Sequence, residues 1–278
     1  MSLKEFFFKI SFLYSFLPVR FLMKIAEKKK IAVFYHLITE DENELTNHLY
    51  KAKNKTAFIK DIQYLKKYFS STTVDDFSKK IDEYRFLLSF DDGLSNFYHV
   101  VAPILEKEKV QAISFLNSTF IDNKDLFYRY KVNLLIEILL KSQLDEKQKK
   151  LFCNIIEIKK FHLKKLISKL KKLDIHQTNT INSLLKIVGF SYKEYLDKNK
   201  PYLSGNQILK LEKKGFQFGA HSKCHPRYSK ITLADQIEQT VGSLDSIKSS
   251  FDIKSNYFAF PFSDDADALA SFFAIAAF

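Results

Sequence analysis

The sequence predicts an α/β fold, a parallel sheet with barrel-like closure that is interrupted by a helical insertion. Three observations carry this expectation. From residue 31 onward, short apolar runs alternate with longer amphipathic stretches. Each of six such runs feeds helical sequence. Between about residues 122 and 200 the alternation stops and helical periodicity alone remains. The chain has 278 residues, 46% of them hydrophobic, with only 6 Gly and 5 Pro, which excludes a linker, a collagen-like repeat and a disordered tail.

In order, Ile31 to Tyr35 (IAVFY) reads as a buried strand, and Phe58, Ile62, Leu65 and Phe69 recur at helical spacing, so Thr56 to Phe69 reads as a helix. A short strand near Thr72 to Val74 and a helix from Asp75 to Asp82 follow. The strand Phe86 to Phe90 (FLLSF), the helix Leu94 to Lys107 and the strand Gln111 to Leu116 complete the first half. After the insertion, Ser204 with Gln207 forms a capping box, Gly215 turns the chain, and Phe216 to Ala220 (FQFGA) is a strand. Thr232 with Asp235 opens a helix to about Ser250. Asn256 to Phe260 is the last strand, before an alanine-rich tail with no lysine.

Charge is concentrated. The net charge is +12, and Lys141 to Lys172 holds eleven lysines against Asp145, Glu146 and Glu157. Leu151, Ile155, Ile158, Leu163, Leu166 and Leu170 supply an apolar stripe there, so the segment reads as a solvated helical hairpin with an apolar inner face. No zinc-finger, RNP or basic-zipper pattern accompanies the charge, so specific nucleic-acid binding is not expected. The basic balance favours anionic neighbours such as phospholipid or glycolipid phosphate. Two cysteines, Cys153 and Cys224, are too few for a disulfide framework. At the N-terminus the longest uncharged run, Ile10 to Val19, is too short to span a bilayer. A helix with Phe6, Phe7, Ile10, Leu13 and Phe16 on one side either lies in a membrane interface, through residues 4–26, or caps the core.

In a parallel α/β sheet, functional groups collect where strands end. FLLSF runs into Asp91-Asp92-Gly93, FQFGA into His221 and His225, and IAVFY into His36. Alternation points adjacent carboxylates to different sides, so one can bind a metal while its neighbour faces a substrate. One carboxylate and two histidines four apart make the three protein ligands expected of a catalytic divalent metal.

SFDDG at Ser89 to Gly93 and HSKCH at His221 to His225 resemble the first two motifs of the polysaccharide deacetylases (NodB-homology, carbohydrate esterase family 4), and FAFPF at Phe258 to Phe262 resembles a third. The similarity spans roughly residues 31 to 262 apart from the insertion. It implies a distorted (β/α)7 TIM-like barrel. Only residues 263–278 follow the third motif, so the barrel is expected to be incomplete and the domain, 31–278, to be C-terminally short. The resemblance makes Asp91 the general base and Asp92, His221 and His225 the ligands of a divalent metal, zinc foremost. The Phe262 N–H, following Pro261, becomes an oxyanion donor, and Ser222 supports the histidine loop.

The family's usual C-terminal histidine acid has no counterpart, because no histidine follows His225. In a permuted subgroup resembling the poly-N-acetylglucosamine deacetylases, a histidine in an N-terminal YHxx segment takes that role. Phe34 to Ile38 (FYHLI) resembles that segment, which makes His36 the candidate acid. Two departures stand out. An Arg that orients the base carboxylate in the family is replaced here by Ala259, and Cys224 inside the second motif is not a family ligand. His48, His99, His162 and His176 read as surface or packing residues, whereas Tyr257, Phe260 and Phe262 could stack on a sugar.

The function implied is metal-dependent removal of acetyl groups from N-acetylated sugars of a bacterial surface glycan or its precursor. The alternatives are a glycan- or metal-binding protein of the same fold without turnover, and a basic membrane-surface or nucleic-acid module with a structural metal. Without a clear signal peptide, a cytoplasmic site peripheral to the inner membrane is preferred over an exported, membrane-anchored one.

Overall fold

Five strands pair side by side in the computed structural model, which describes residues 16–25, 29–40, 43–80 and 82–262. They are β1 (Lys30–Tyr35), β2 (Ser70–Ser71), β3 (Arg85–Phe90), β4 (Ile113–Leu116) and β5 (Gln217–Ala220). All pairings are parallel in the order β1-β3-β4-β5, with β2 joined to the first residues of β3. Every strand therefore ends at the same mouth, as expected of an α/β sheet.

Period-two alternation sets which face each strand buries. In β3, Phe86, Leu88 and Phe90 are buried against helices while Ser89 faces a cleft. β1 differs from the buried strand expected, because among the described residues it has one strand neighbour and packs helices on one face. Ile31, Val33 and Tyr35 pack on the core, whereas Phe34 is 64% exposed and lines the cleft.

The helices follow their start signals. Of the N-terminal segment expected over residues 4–26, residues 16–25 are described and include helix α1 (Val19–Ile25), whereas Phe6, Phe7, Ile10 and Leu13 lie outside the described residues. Helix α2 (Lys55–Tyr68) is capped by the Asn54 carboxamide oxygen, which accepts the Ala57 N–H at 2.7 Å, and it buries Phe58, Ile62 and Leu65. The next helix, α3, is shorter than expected, Val74–Ser78, and β2 lies just ahead of the residues predicted for it. A π turn, Phe97–Val101, leads into α4 (Ala102–Glu108), with Pro103 in its first turn. Helix α10 (Gly205–Lys213) has the predicted capping box, both hydrogen bonds present, and Gly215 then turns at φ +90°. Helix α11 (Leu233–Phe251) begins at the Thr232 cap.

The last predicted strand is reduced to a single parallel bridge, Phe258 to Ala220. It is close all the same: the Ala220 N–H donates to the Tyr257 carbonyl at 2.9 Å and the Ala259 N–H to the Ala220 carbonyl at 3.0 Å. Gly219 makes this possible, since a Cβ there would meet the Phe115 ring and the Tyr257 carbonyl oxygen, each at 2.7 Å.

The insertion folds as α5 (Tyr128–Lys141), α6 (Glu146–Ile156), α7 (Leu163–Leu170), α8 (Thr178–Ile187) and α9 (Tyr192–Asn199). It builds a second core rather than a simple solvated hairpin. Ile158, Leu166 and Leu170 are buried as expected, but Leu151 is 40% exposed and falls off the stripe. The insertion leaves and returns at one point. The Asn123 carboxamide oxygen accepts the Tyr202 N–H at 2.9 Å, and the Asp122 carboxylate accepts the Gly205 N–H at 2.8 Å. No helix among the described residues is long and apolar enough to cross a membrane.

Candidate active site

The register of β1 on β3 places the two candidate proton carriers side by side. Tyr35 lies opposite Phe90, and the Asp91 N–H donates to the Tyr35 carbonyl at 3.0 Å, so His36 and Asp91 follow on adjacent strand ends. Both line one cleft of about 560 Å³ with Asp92, His221 and His225. The chain leaves β3 through two left-handed residues, Asp92 at φ +70° and Gly93 at φ +62°. This turn, rather than strand alternation, sends the two carboxylates apart. A Cβ on Gly93 would also sit 3.0 Å from Leu116 Cδ2. Ser222, His225 and Phe262 likewise take positive φ, a clustering of backbone strain around one site.

Asp92, His221 and His225 are all buried, and one potential ligand atom from each falls within 4.8 Å of the others. Asp92 Oδ1 lies 3.2 Å from His225 Nε2 and 3.7 Å from His221 Nε2, yet it is a buried oxygen with no hydrogen-bond partner. Atoms that converge on a point instead of bonding one another fit a cation held between them. The surroundings orient these three side chains. His221 Nδ1 pairs with the Ala259 carbonyl at 2.8 Å, which turns Nε2 toward Asp92. The Tyr130 hydroxyl donates to Asp92 Oδ2 at 2.9 Å, and the Ser222 hydroxyl accepts the His225 N–H at 2.9 Å. The Asn117 carboxamide donates to the His221 carbonyl.

Electrostatics separate the two carboxylates. Burial pushes Asp91 up to about 7, with His36 acting against it and the neighbouring Asp92 adding to it. Burial would raise Asp92 too, but the imidazole of His225, with His36 and His221, outweighs it and holds the carboxyl well below the usual range. Burial brings His221 down to about 3, so its imidazole is neutral, the form that ligates metal.

The aromatic residues divide. Phe260 and Phe262 line the cleft, and the Phe262 ring stands on edge to His225, centroids 4.7 Å apart. Tyr257 instead turns away and bonds Asp75, so it is no part of a sugar platform. Cys224 pairs with the Gln239 side chain, and burial raises its thiol. The other histidines have local partners: His48 lies 3.0 Å from the Glu137 carboxylate, His162 caps α7, His176 meets the Lys230 carbonyl and His99 meets Gln207.

Sequence reasoning missed Tyr50, Phe127, Arg129 and Tyr130, which line the cleft, and Asn117. Asn117 carries a legible signal, a polar residue directly after β4. The others sit in a loop and in the insertion, where no motif marks them.

Residues 159–274 match the sequence profile described as polysaccharide deacetylase. That span holds His221, His225 and the FAFPF segment, while Asp91 and Asp92 reach them only through the fold. No curated protein matches the chain significantly. Among solved structures, the deacetylase PplD of Streptococcus pyogenes, determined with acetate, is 14% identical, aligned over 88% of this chain and 78% of its own, with a TM-score of 0.53. IcaB from Ammonifex degensii is 14% identical over 86% of this chain and 78% of its own, TM-score 0.50. A de-N-acetylase from Aggregatibacter actinomycetemcomitans is 12% identical over 88% and 84%, TM-score 0.51. At such identities the likeness is one of fold. Residues 159–274 are thus similar to polysaccharide deacetylases, and an Asp-His-His group stands at the mouth of a fold that the chain shares with solved deacetylases.

Proposed function

We propose that the chain removes acetyl groups from N-acetylated sugars of a bacterial surface glycan or its precursor. The observation that carries this reading is the convergence of Asp92, His221 and His225 beside Asp91 and His36 in one cleft. A divalent cation on the three ligands, zinc foremost, would supply Lewis acidity toward water and the amide carbonyl. Asp91, with its carboxyl near neutrality, is the base that takes a proton from the attacking water. His36, on the neighbouring strand end, is the acid that gives a proton to the departing sugar amine. It is held by ring contacts with Phe34 and Tyr50, at centroid distances of 5.8 and 5.1 Å. The backbone N–H of Phe262, after Pro261, is the candidate donor to the developing oxyanion. Exposed Phe34 offers an apolar face to a sugar ring at the rim.

The test is acetate release from N-acetylglucosamine oligomers and purified cell-envelope glycan, with and without a chelator, by the parent and by Asp91→Asn. Release by the parent alone, abolished by chelator and restored by zinc, supports the proposal. One observation favours a second reading, a binding protein without turnover: position 259 is alanine, and no arginine contributes to the charge environment of Asp91. Stoichiometric metal in both proteins with no acetate from either would establish that reading and sink the first.

A further inference from the structure

Two arginines missed by the sequence motifs stand around one ring, Phe262, which lines the cleft together with Arg129. Arg129, from the first turn of α5, holds its guanidinium 5.4 Å from the Phe262 centroid, and Arg227, just beyond His225, holds its own 4.6 Å from the same centroid. The two cationic groups are therefore no farther apart than those two distances combined. Among the described residues neither guanidinium has a carboxylate or a hydrogen-bonding partner. Arg129 is half-buried and Arg227 exposed.

Such a pairing is unfavourable by itself. Like charges repel, and partial burial raises the cost; burial and the like charge of Arg227 both lower the Arg129 pKa. The Phe262 ring offsets part of this through cation–π contact and restricts both forks, which leaves their N–H donors free for a ligand. Planar guanidinium forks match the oxygens of carboxylate and phosphate groups. Phe262 touches His225 on one side and these cations around it, so an anion held here lies about one sugar from the reacting acetamide.

We propose that Arg129 and Arg227, held on Phe262, form an anion subsite that selects glycans bearing a carboxylate or phosphate on the sugar next to the one deacetylated. The position of the acetamide rests on the deacetylase reading; the anion preference does not. It is therefore measured by binding, on the full zinc-loaded chain carrying Asp91→Asn to block turnover. Calorimetry compares three tetrasaccharides: the neutral N-acetylglucosamine tetramer, the same tetramer carrying one 6-phosphate, and an alternating glucuronate–N-acetylglucosamine tetramer. At low salt one or both anionic ligands should bind about 10-fold or more tighter than the neutral one, and whichever does so distinguishes phosphate from carboxylate. Adding Arg129→Gln and Arg227→Gln together should bring that ratio close to one.

Equal affinities in the parent background, absence of binding by all three, or a preference that survives the double change would overturn the subsite. Arg227 is exposed, so Arg227→Gln alone reads the same ratio if the Arg129 change unfolds the chain. Asp264, Asp265 and Asp267 follow Phe262 in the sequence, and a further variant replaces all three with Asn. An unchanged preference supports a ligand subsite. A preference that appears only in that variant assigns the arginines to the chain's own carboxylates and overturns it. Acetate release by the parent, measured separately, tests the deacetylase reading without reference to the arginines.

Discussion

Asp91 and Asp92 are adjacent in sequence and opposite in proton affinity, and the difference comes from what surrounds each carboxyl. Asp91 meets the cleft near His36, and its proton affinity rises to about 7; Asp92 meets two imidazoles and a tyrosine hydroxyl and stays ionised. Asp91→Asn should lower acetate release by about 10³-fold or more while leaving bound zinc at parent stoichiometry by atomic absorption. His36→Ala should lower kcat by about 10²- to 10⁴-fold, also with metal retained; loss of metal would place His36 among the ligands and refute its assignment as the acid. Tyr130→Phe removes one hydrogen bond from Asp92 Oδ2, and zinc affinity measured by competition with a chromogenic chelator should fall about 10-fold or more.

At the scale of elements, the bond between β5 and the segment around Phe258 is what brings the FAFPF residues to the histidines. Gly219 permits it, and the Ala259 carbonyl then fixes His221. Gly219→Ala should therefore cost about 1–3 kcal/mol in urea unfolding through overpacking against Phe115 and the Tyr257 carbonyl. Zinc affinity should fall with it, and unchanged affinity would show that His221 is oriented without this bridge. The insertion contributes through α5, whose first turn carries Arg129 and Tyr130 over the cleft. Its Lys131 is buried at 1% exposure, paired with Asp125 at 2.9 Å and set 3.8 Å over the Tyr192 ring. This ties the first helix of the insertion to its last. Removing one partner of a buried ion pair leaves a charge uncompensated. Because Asp125 is itself partly exposed, Asp125→Ala should destabilise by about 1–3 kcal/mol, read by thermal unfolding.

For the whole molecule, the site unites three strand ends with the insertion, so a cation held there would act on global stability. A ligand that binds only the folded chain at a hundredfold excess over Kd stabilises by about 2.7 kcal/mol. Zinc should therefore raise the unfolding midpoint, chelator should reverse the rise, and Asp92→Asn should abolish it. A midpoint insensitive to zinc would count against the three-ligand centre.

How much of this was legible in sequence follows from the reach of each interaction. The capping box at Ser204 and Gln207, the Gly215 turn, the helix over Phe58 to Leu65 and the polar strand ends at His36, Asp91 and His221 depend on neighbours a few residues apart, and periodicity and turn chemistry express them directly. The candidate ligands could be named because strand ends of a parallel sheet share one mouth. Tertiary structure decided the rest. It reduced the last predicted strand to a bridge, exposed Phe34 on a strand expected to be buried, and carried Tyr130 about forty residues from Asp92 in sequence into contact with it. It also gathered Arg129 and Arg227 around Phe262. These outcomes depend on side chains distant in sequence meeting at particular distances, and no local pattern of residue types encodes such meetings.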